Sequence, residues 1–192
     1  MKSSIKQILL TSFFGLSLLV TTNANAINSQ CTNAAVGMWF NADGTCSTEE
    51  TSTTIGLIYW VLNGNPKVFN VMSLDQWENT ASWDEAMTNC ASYTTTGTSA
   101  GDWHLPTIAE LIPMGLQYPC YGTSDNDCVS NGKFATLNAK LSTDLISSEY
   151  YWSSSRDYRI TTNRNVARLS DGSLYNYYAP GTNYSGRCVL AF

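Results

Sequence analysis

The sequence predicts an α+β domain that is held together by disulfides. Segments rich in β-branched and aromatic residues lie near both ends of the domain, and two helix-start signals lie between them. The chain contains only one histidine, His104, and no C-x-x-C pair, so its six cysteines favour three disulfides over a zinc site. They are Cys31, Cys46, Cys90, Cys120, Cys128 and Cys188.

Residues 1–26 predict a cleavable secretion signal. Lys2 and Lys6 give a positive start, Ile8–Val20 is mostly apolar, and Ala24-Asn-Ala26 supplies the small residues that a signal peptidase recognises. The apolar run is shorter than the ~20 residues needed to span a bilayer. We therefore expect an exported protein that is periplasmic, on the cell surface or extracellular. We expect no membrane span in its mature chain.

Charge is distributed unevenly along the mature chain. Ten Lys and Arg residues less the two lysines of the signal leave eight, against fifteen Asp and Glu, for a net charge of −7. All five arginines lie beyond residue 150, where Asp157 and Asp171 are the only acidic residues. The acidic body argues against nucleic-acid binding, and the C-terminal segment is locally basic.

The first part of the mature chain predicts an arm followed by a hairpin. Residues 27–54 are rich in Thr, Ser, Asn and Gly, so we expect an irregular arm closed by a local Cys31–Cys46 bridge. The domain proper is expected over residues 55–192. Within it, Ile55–Leu62 and Val68–Met72 predict two strands joined at Asn63-Gly64, a strong hairpin signal.

Two capping boxes predict two helices in the middle of the chain. Ser82 and Glu85 mark the start of the first helix, and Thr107 and Glu110 mark the start of the second. Pro113 should end or kink the second helix within two turns. Helical spacing puts four residues on the core face of the first helix: Trp83, Met87, Cys90 and Ala91.

The segment after the second helix predicts a polar loop and one short helix. Cys120 and Cys128 flank the polar loop, which we expect their own disulfide to close. Phe134, Leu137 and Leu141 have the spacing of a short helix.

The C-terminal segment predicts strands. Tyr150–Ser153 is one, and Asn165–Leu169 pairs with Ser173–Tyr177 across an Asp171-Gly172 turn. Arg187–Phe192 closes the chain as an alternating strand, which puts Cys188, Leu190 and Phe192 on one face.

An ordered set of motifs resembles the bacterial Lcl C-terminal domain family, named for the end domain of a collagen-like adhesin. The motifs are Ser82-Trp-Asp-Glu-Ala86 with Cys90, Asp102-Trp-His-Leu-Pro-Thr107 with Glu110-Leu111, Tyr151-Trp-Ser-Ser-Ser155, and Arg187-Cys-Val189. The resemblance runs from about Ile55 to Phe192. It implies a C-type-lectin-like fold in which two helices flank small antiparallel sheets. It also implies a Cys90–Cys188 disulfide.

The chain departs from the family and from calcium-dependent lectins at informative places. His104 stands where the family usually has arginine, and we expect it to be a packed or capping residue instead of a base. The Glu-Pro-Asn, Gln-Pro-Asp and Trp-Asn-Asp motifs of calcium-dependent sugar binding do not occur. We therefore predict no metal site, no cofactor and no catalytic residue. The chain is not expected to be an enzyme.

The composition of the C-terminal segment favours a recognition surface. It holds seven of the eleven tyrosines, all five arginines and several asparagines, a mixture that combines stiff aromatic contacts with adaptable hydrogen bonds. Ordinary exposed strand residues are the alternative, because tyrosine favours sheets. We expect Trp152, Leu169, Cys188 and Leu190 in the core. The predicted ligand face is Arg156, Tyr158, Arg159, Arg164, Tyr175, Tyr177, Tyr178 and Tyr184.

Together these features predict an exported, adhesin-like binding module for a glycan or protein ligand at a cell surface. An anionic ligand is favoured because the arginines cluster while the body is acidic. Two alternatives remain. One is a variable receptor of the kind diversified by retroelements, and the other is a structural subunit of a secreted or fimbrial assembly.

Overall fold

The computed structural model describes residue 27 and residues 29–64, 67–115, 137–141, 150–156, 160, 162–168, 173–178 and 182–192. The predicted signal over 1–26, the Cys120–Cys128 bridge and the expected positions of Phe134 and Leu169 lie outside these residues. Within them the α+β class is confirmed. The elements are β1 (Trp39–Asn41), β2 (Cys46–Ser47), β3 (Thr54–Leu62), β4 (Val68–Ser73), β5 (Trp77–Ala81), α1 (Trp83–Ser92), α2 (Ile108–Gly115), β6 (Tyr150–Arg156), β7 (Arg164–Arg168), β8 (Ser173–Tyr178), β9 (Tyr184–Gly186) and β10 (Val189–Ala191).

The first sheet is antiparallel and has the strand order β10-β4-β3-β1-β2. Two of its strands come from residues 27–54, so the expectation of an irregular arm throughout is wrong. Trp39 and Phe40 are buried and pair with Leu57 and Gly56 of β3. These two large apolar residues form a short strand because the nine-residue strand β3 supplies the backbone hydrogen-bond partners.

The predicted β3–β4 hairpin is present, with the strand ends predicted at Leu62 and Val68. The register pairs Leu62 with Val68, so five residues join the strands. β4 is buried on both faces, because Phe69 and Val71 belong to one hydrophobic cluster and Met72 belongs to the other.

Both predicted helices form with their capping boxes. Ser82 caps α1, where its hydroxyl accepts from the Glu85 N–H and the Glu85 carboxylate accepts from the Ser82 N–H. The buried positions of α1 are Trp83, Ala86 and Cys90. Ala91 is exposed, contrary to expectation, because this narrow stripe follows i, i+3 and i+7 spacing.

The second helix runs for eight residues, slightly more than two turns, and it continues past Pro113 to Gly115. Thr107 precedes it, and the Thr107 hydroxyl accepts from the Glu110 N–H. Leu111 and Met114 are buried. Leu137 and Leu141, from the predicted short helical segment, are buried in the same hydrophobic cluster.

The second sheet has the order β5-β9-β6-β7-β8 and is antiparallel except between β6 and β9. The predicted strand at Tyr150 extends to Arg156, and the predicted β7–β8 pairing is present. The C-terminal strand is shorter than predicted, because β9 belongs to the second sheet and β10 to the first. The chain crosses between the sheets at Arg187 and Cys188.

The last strand is not buried in the alternating pattern that its sequence predicts, because it lies next to the crossing between the two sheets. Cys188 and Leu190 are buried as expected, but Val189 between them is also fully buried. Leu190 belongs to the cluster that includes Trp83 and Trp152, and Val189 belongs to the other cluster, so both faces of β10 are covered.

Two disulfides are present in the described part of the chain. Cys31–Cys46 closes a short loop in the N-terminal segment. Cys90–Cys188 joins the last turns of α1 to the crossing between the sheets, over a sequence separation of 98. The second bridge therefore links elements that are distant in sequence and adjacent in the core.

Candidate binding face

One face of the second sheet gathers most of the described candidate residues. Residues directly opposite each other on neighbouring strands share a face. The register sets Tyr150 opposite Arg168, Trp152 opposite Val166, and Arg156 opposite Arg164. We call the partly exposed side chains of this region the tyrosine–arginine face: Tyr150, Arg156, Arg164, Arg168, Tyr175 and Tyr184.

Two arginines of this face lie over one tryptophan ring. The guanidinium carbon of Arg164 is 4.2 Å from the centroid of the Trp83 ring, and that of Arg156 is 5.5 Å from it. These distances fit cation–π contacts. Arg156 is exposed, and Trp83 is almost completely buried beneath it. The indole thus forms a flat floor beneath one exposed and one half-buried arginine.

A cluster of aromatic rings forms the other half of the face. Tyr150 makes edge-to-face contacts with Tyr175 at 5.1 Å and Tyr184 at 5.6 Å. Tyr184 also contacts Trp152, with centroids 4.9 Å apart. The guanidinium of Arg168 lies 5.8 Å from the Tyr150 ring centroid. Packing restricts these rotamers, so the rings lose little further entropy when they contact a ligand.

Two tryptophan hydrogen bonds hold the floor in place. Trp83 Nε1 donates to the Ser153 carbonyl oxygen of β6 at 2.8 Å. Trp152 Nε1 donates to the Ala81 carbonyl oxygen at 2.8 Å, at the end of β5. These paired bonds join the start of α1 to the central strand of the sheet. The Cys90–Cys188 disulfide fixes the other end of the helix.

The predicted ligand residues divide into three groups. Arg156, Arg164, Tyr175 and Tyr184 come together on the tyrosine–arginine face. The backbones of Tyr177 and Tyr178 lie in β8, and Tyr178 is the registered partner of Arg164. Tyr158 and Arg159 lie outside the described residues.

Sequence reasoning missed three members of this region. Trp83 was assigned to the core from its helical spacing, and the spacing does not reveal that arginines cover its ring. Tyr150 and Arg168 were also left out of the ligand face. The predicted β6 and β7 strands contained both residues, but their pairing depends on a register that the sequence does not specify.

The fifth arginine, Arg187, has a different environment. Its side chain is fully buried, and its guanidinium donates to the carbonyl oxygens of Ser73 and Leu74 and, at 2.7 Å, to Gln76 Oε1. Burial lowers the pKa of Arg187 because the charged form loses its solvation. The same Gln76 oxygen accepts from the Tyr151 hydroxyl at 2.9 Å. Arg187 therefore ties the β4–β5 connection to the crossing between the sheets.

His104 contacts the start of α2 and the strand β10. Its Nε2 lies 3.0 Å from Glu110 Oε1, and its backbone forms a two-hydrogen-bond bridge with Val189. Burial alone would raise the pKa of Glu110. Hydrogen bonds from His104 and from the N–H and hydroxyl of Thr107 outweigh that effect and hold the pKa at about 2.

The described residues contain no group of three or more His, Cys, Asp or Glu side chains that could hold a metal ion. Among the helices of that part of the chain, none is both long and apolar enough to cross a membrane.

Comparison with known proteins gives a distant structural likeness. No protein-family model matches the chain, and no curated protein matches it. A solved structure of a fimbrial protein from Bacteroides ovatus is similar over 83% of this chain, with a TM-score of 0.47 and 17% sequence identity. The matched region spans 49% of that protein, about half of its length.

Proposed function

We propose that this chain is an exported binding module that recognises a glycan or protein ligand, in the manner of an adhesin, through the tyrosine–arginine face. The observation that carries the proposal is the pair of guanidinium groups over the Trp83 ring. The aromatic cluster around Tyr150 adjoins them on the same sheet. An acidic body that places three arginines on one surface is suited to an anionic ligand.

The chemistry of arginine supports an anionic group on the ligand. A guanidinium presents a planar fork of N–H donors that binds carboxylate or sulfate-like oxygens in bidentate fashion. Both guanidinium groups lie over the Trp83 ring, and Arg164 Nη1 also donates to the Asn163 carbonyl oxygen. Tyrosine rings next to the cations can contact the apolar face of a sugar or a peptide side chain.

A C-type-lectin-like fold and membership of the Lcl C-terminal domain family form part of the same proposal. The two capped helices, the Cys90–Cys188 bridge and the small, mostly antiparallel sheets support it. Export is supported by the two disulfides, because such bonds persist in oxidising compartments.

The test compares two variants of the oxidised mature chain on a glycan array that includes sulfated and carboxylated glycans. The first variant combines Arg156→Gln and Arg164→Gln. The control is Lys140→Gln, because Lys140 also lies over an indole, 5.8 Å from the Trp39 ring centroid, but outside the second sheet. Each charge-assisted hydrogen bond is worth about 1.5–3 kcal/mol, so the double variant should lose roughly tenfold or more in affinity.

Three results are informative in this experiment. Loss of binding in the double variant, with circular dichroism and binding by the control unchanged, would support the tyrosine–arginine face. Equal loss in both variants would indicate a general charge effect. Wild-type affinity in the double variant would show that the ligand binds elsewhere.

A further inference from the structure

The connection between β3 and β4 carries an Asn-Gly pair at the surface. The register pairs Leu62 with Val68 at the strand ends, and these two side chains leave 55% and 40% of their surface exposed. Asn63 and Gly64 directly follow Leu62 and are exposed as well. Solvent therefore reaches both the side-chain amide of Asn63 and the peptide bond that follows it.

An exposed Asn-Gly pair is open to deamidation. The glycine backbone nitrogen attacks the carbonyl carbon of the asparagine side chain and closes a five-membered succinimide ring. The side-chain nitrogen leaves as ammonia and takes the proton that the backbone nitrogen loses. Water then opens the ring at either carbonyl carbon, which gives aspartate or isoaspartate. Glycine favours the closure because it has no Cβ to hinder its nitrogen and few restrictions on its backbone angles.

A second pair, Asp43-Gly44, shows how the fold can restrain this chemistry. An Asp-Gly pair closes the same ring with loss of water, but the Gly44 N–H donates to the Asn41 carbonyl oxygen at 2.9 Å and Gly44 is buried. Asp43 Oδ1 accepts from the Thr45 hydroxyl at 2.6 Å and from the Thr45 N–H at 3.0 Å. These bonds lower the pKa of Asp43, and the carboxylate is a poorer electrophile than the neutral acid. Both reacting groups of this pair are therefore engaged in hydrogen bonds.

We propose that Asn63-Gly64 is a modification site, at which the folded chain converts spontaneously to aspartate and isoaspartate. Water is the only co-reactant that the conversion needs. The strands stay paired during ring closure, because pairs nearer the centre of the hairpin, such as Leu57 with Met72, are completely buried. The reaction therefore takes place at the exposed end of the hairpin without unfolding of the sheet.

The products change the charge and the backbone of the hairpin end. Each converted chain gains a carboxylate on the connection that also carries Lys67, whose ammonium donates to the Ala34 carbonyl oxygen at 2.9 Å. Isoaspartate also adds a methylene group to the main chain between β3 and β4. The chain thus acquires a more acidic form as it ages, whether or not the tyrosine–arginine face binds a ligand.

Peptide mapping by mass spectrometry of the oxidised mature chain, incubated in neutral buffer, tests the proposal. We expect aspartate and isoaspartate to accumulate at Asn63 at nearly the same rate in the folded chain and in the chain unfolded by urea. Asp43-Gly44 is the matched control. Its isoaspartate should form roughly tenfold or more slowly in the folded chain than in urea, because its hydrogen bonds must open first.

A variant gives a second measurement. Gly64→Ala adds a Cβ beside the attacking nitrogen and should slow succinimide formation at Asn63 by roughly tenfold. Slow conversion of Asn63 in the folded chain with fast conversion in urea would overturn the proposal, because the fold would then restrain this pair as it restrains Asp43-Gly44. An unchanged rate in Gly64→Ala would overturn it as well.

Discussion

Arg187 and the pair formed by Arg156 and Arg164 belong to one basic stretch of sequence, but the fold gives them opposite environments. Arg187 is completely buried and donates to backbone and amide oxygens at the crossing between the two sheets. Arg156 and Arg164 lie over Trp83 near solvent. The clustering of a residue type along a sequence therefore does not identify a site, because burial decides which members can meet a ligand.

The largest expected effect concerns the disulfide beside Arg187. Replacing Cys90 and Cys188 with alanine releases a loop of sequence separation 98 and should cost roughly 4–5 kcal/mol in the chain-entropy model. Replacing Cys31 and Cys46, whose separation is 15, should cost about 3 kcal/mol. Urea unfolding of both double variants measures the difference. If the Cys31–Cys46 pair contributes more, the crossing is not the main anchor of the fold.

The next largest effect is the difference in stability between variants of the buried Arg187 and the surface Arg164. Arg187→Met removes a buried donor from the Ser73 carbonyl and from Gln76 Oε1, which keeps the hydrogen bond from the Tyr151 hydroxyl, and should lower the free energy of unfolding by about 2–4 kcal/mol. Arg164→Met removes a partly exposed cation–π contact and should cost about 0.5–1 kcal/mol. Chemical denaturation checks both values. Equal losses would contradict the division into a structural and a surface arginine.

The smallest effect concerns the helix cap next to the crossing. Because the pKa of Glu110 is held at about 2 in the folded state, below its usual 4.5, its stabilisation should be present above pH 4.5. It should be lost as the pH falls from about 4.5 towards 2. Glu110→Gln should flatten this part of the stability profile and cost about 0.5–2 kcal/mol at neutral pH.

A matched control for the cap is Glu85→Gln, which alters the capping box of α1. Glu85 is exposed, and hydrogen bonds with Ser82 lower its pKa in the same direction. Urea unfolding at several pH values should show a weaker flattening for Glu85→Gln than for Glu110→Gln. A profile unaltered by Glu110→Gln would contradict the role of the His104 and Thr107 contacts.

Local sequence signals predicted the parts of this fold that depend on nearby residues. Both capping boxes are satisfied by residues three positions apart, so Ser82 and Thr107 could be assigned from sequence. The β7–β8 pairing also follows a local hairpin pattern. Features that depend on distant partners were less predictable. β1 is a strand because β3 offers it an edge.

The candidate site shows the same division. Tyrosine and arginine composition directed attention to the C-terminal segment, and four of its predicted residues meet on one face. The floor of the face, Trp83, lies about eighty residues before Arg164 in the chain, and only the tertiary fold places it under that arginine. Likewise, the sequence does not distinguish Arg187 from the other arginines, because buried charges are rare and have no local signature.

The most direct test of the binding role of Arg156 and Arg164 keeps their positive charge and changes the shape of the charged group. The double variant Arg156→Lys and Arg164→Lys retains both cations near Trp83 but loses the planar forks that bind oxyanions in bidentate fashion. Affinity for the anionic glycan selected on the array would be measured by isothermal titration calorimetry, alongside the unfolding midpoint in urea. We expect roughly tenfold weaker binding with the midpoint nearly unchanged. Wild-type affinity in this variant would contradict recognition by the guanidinium groups.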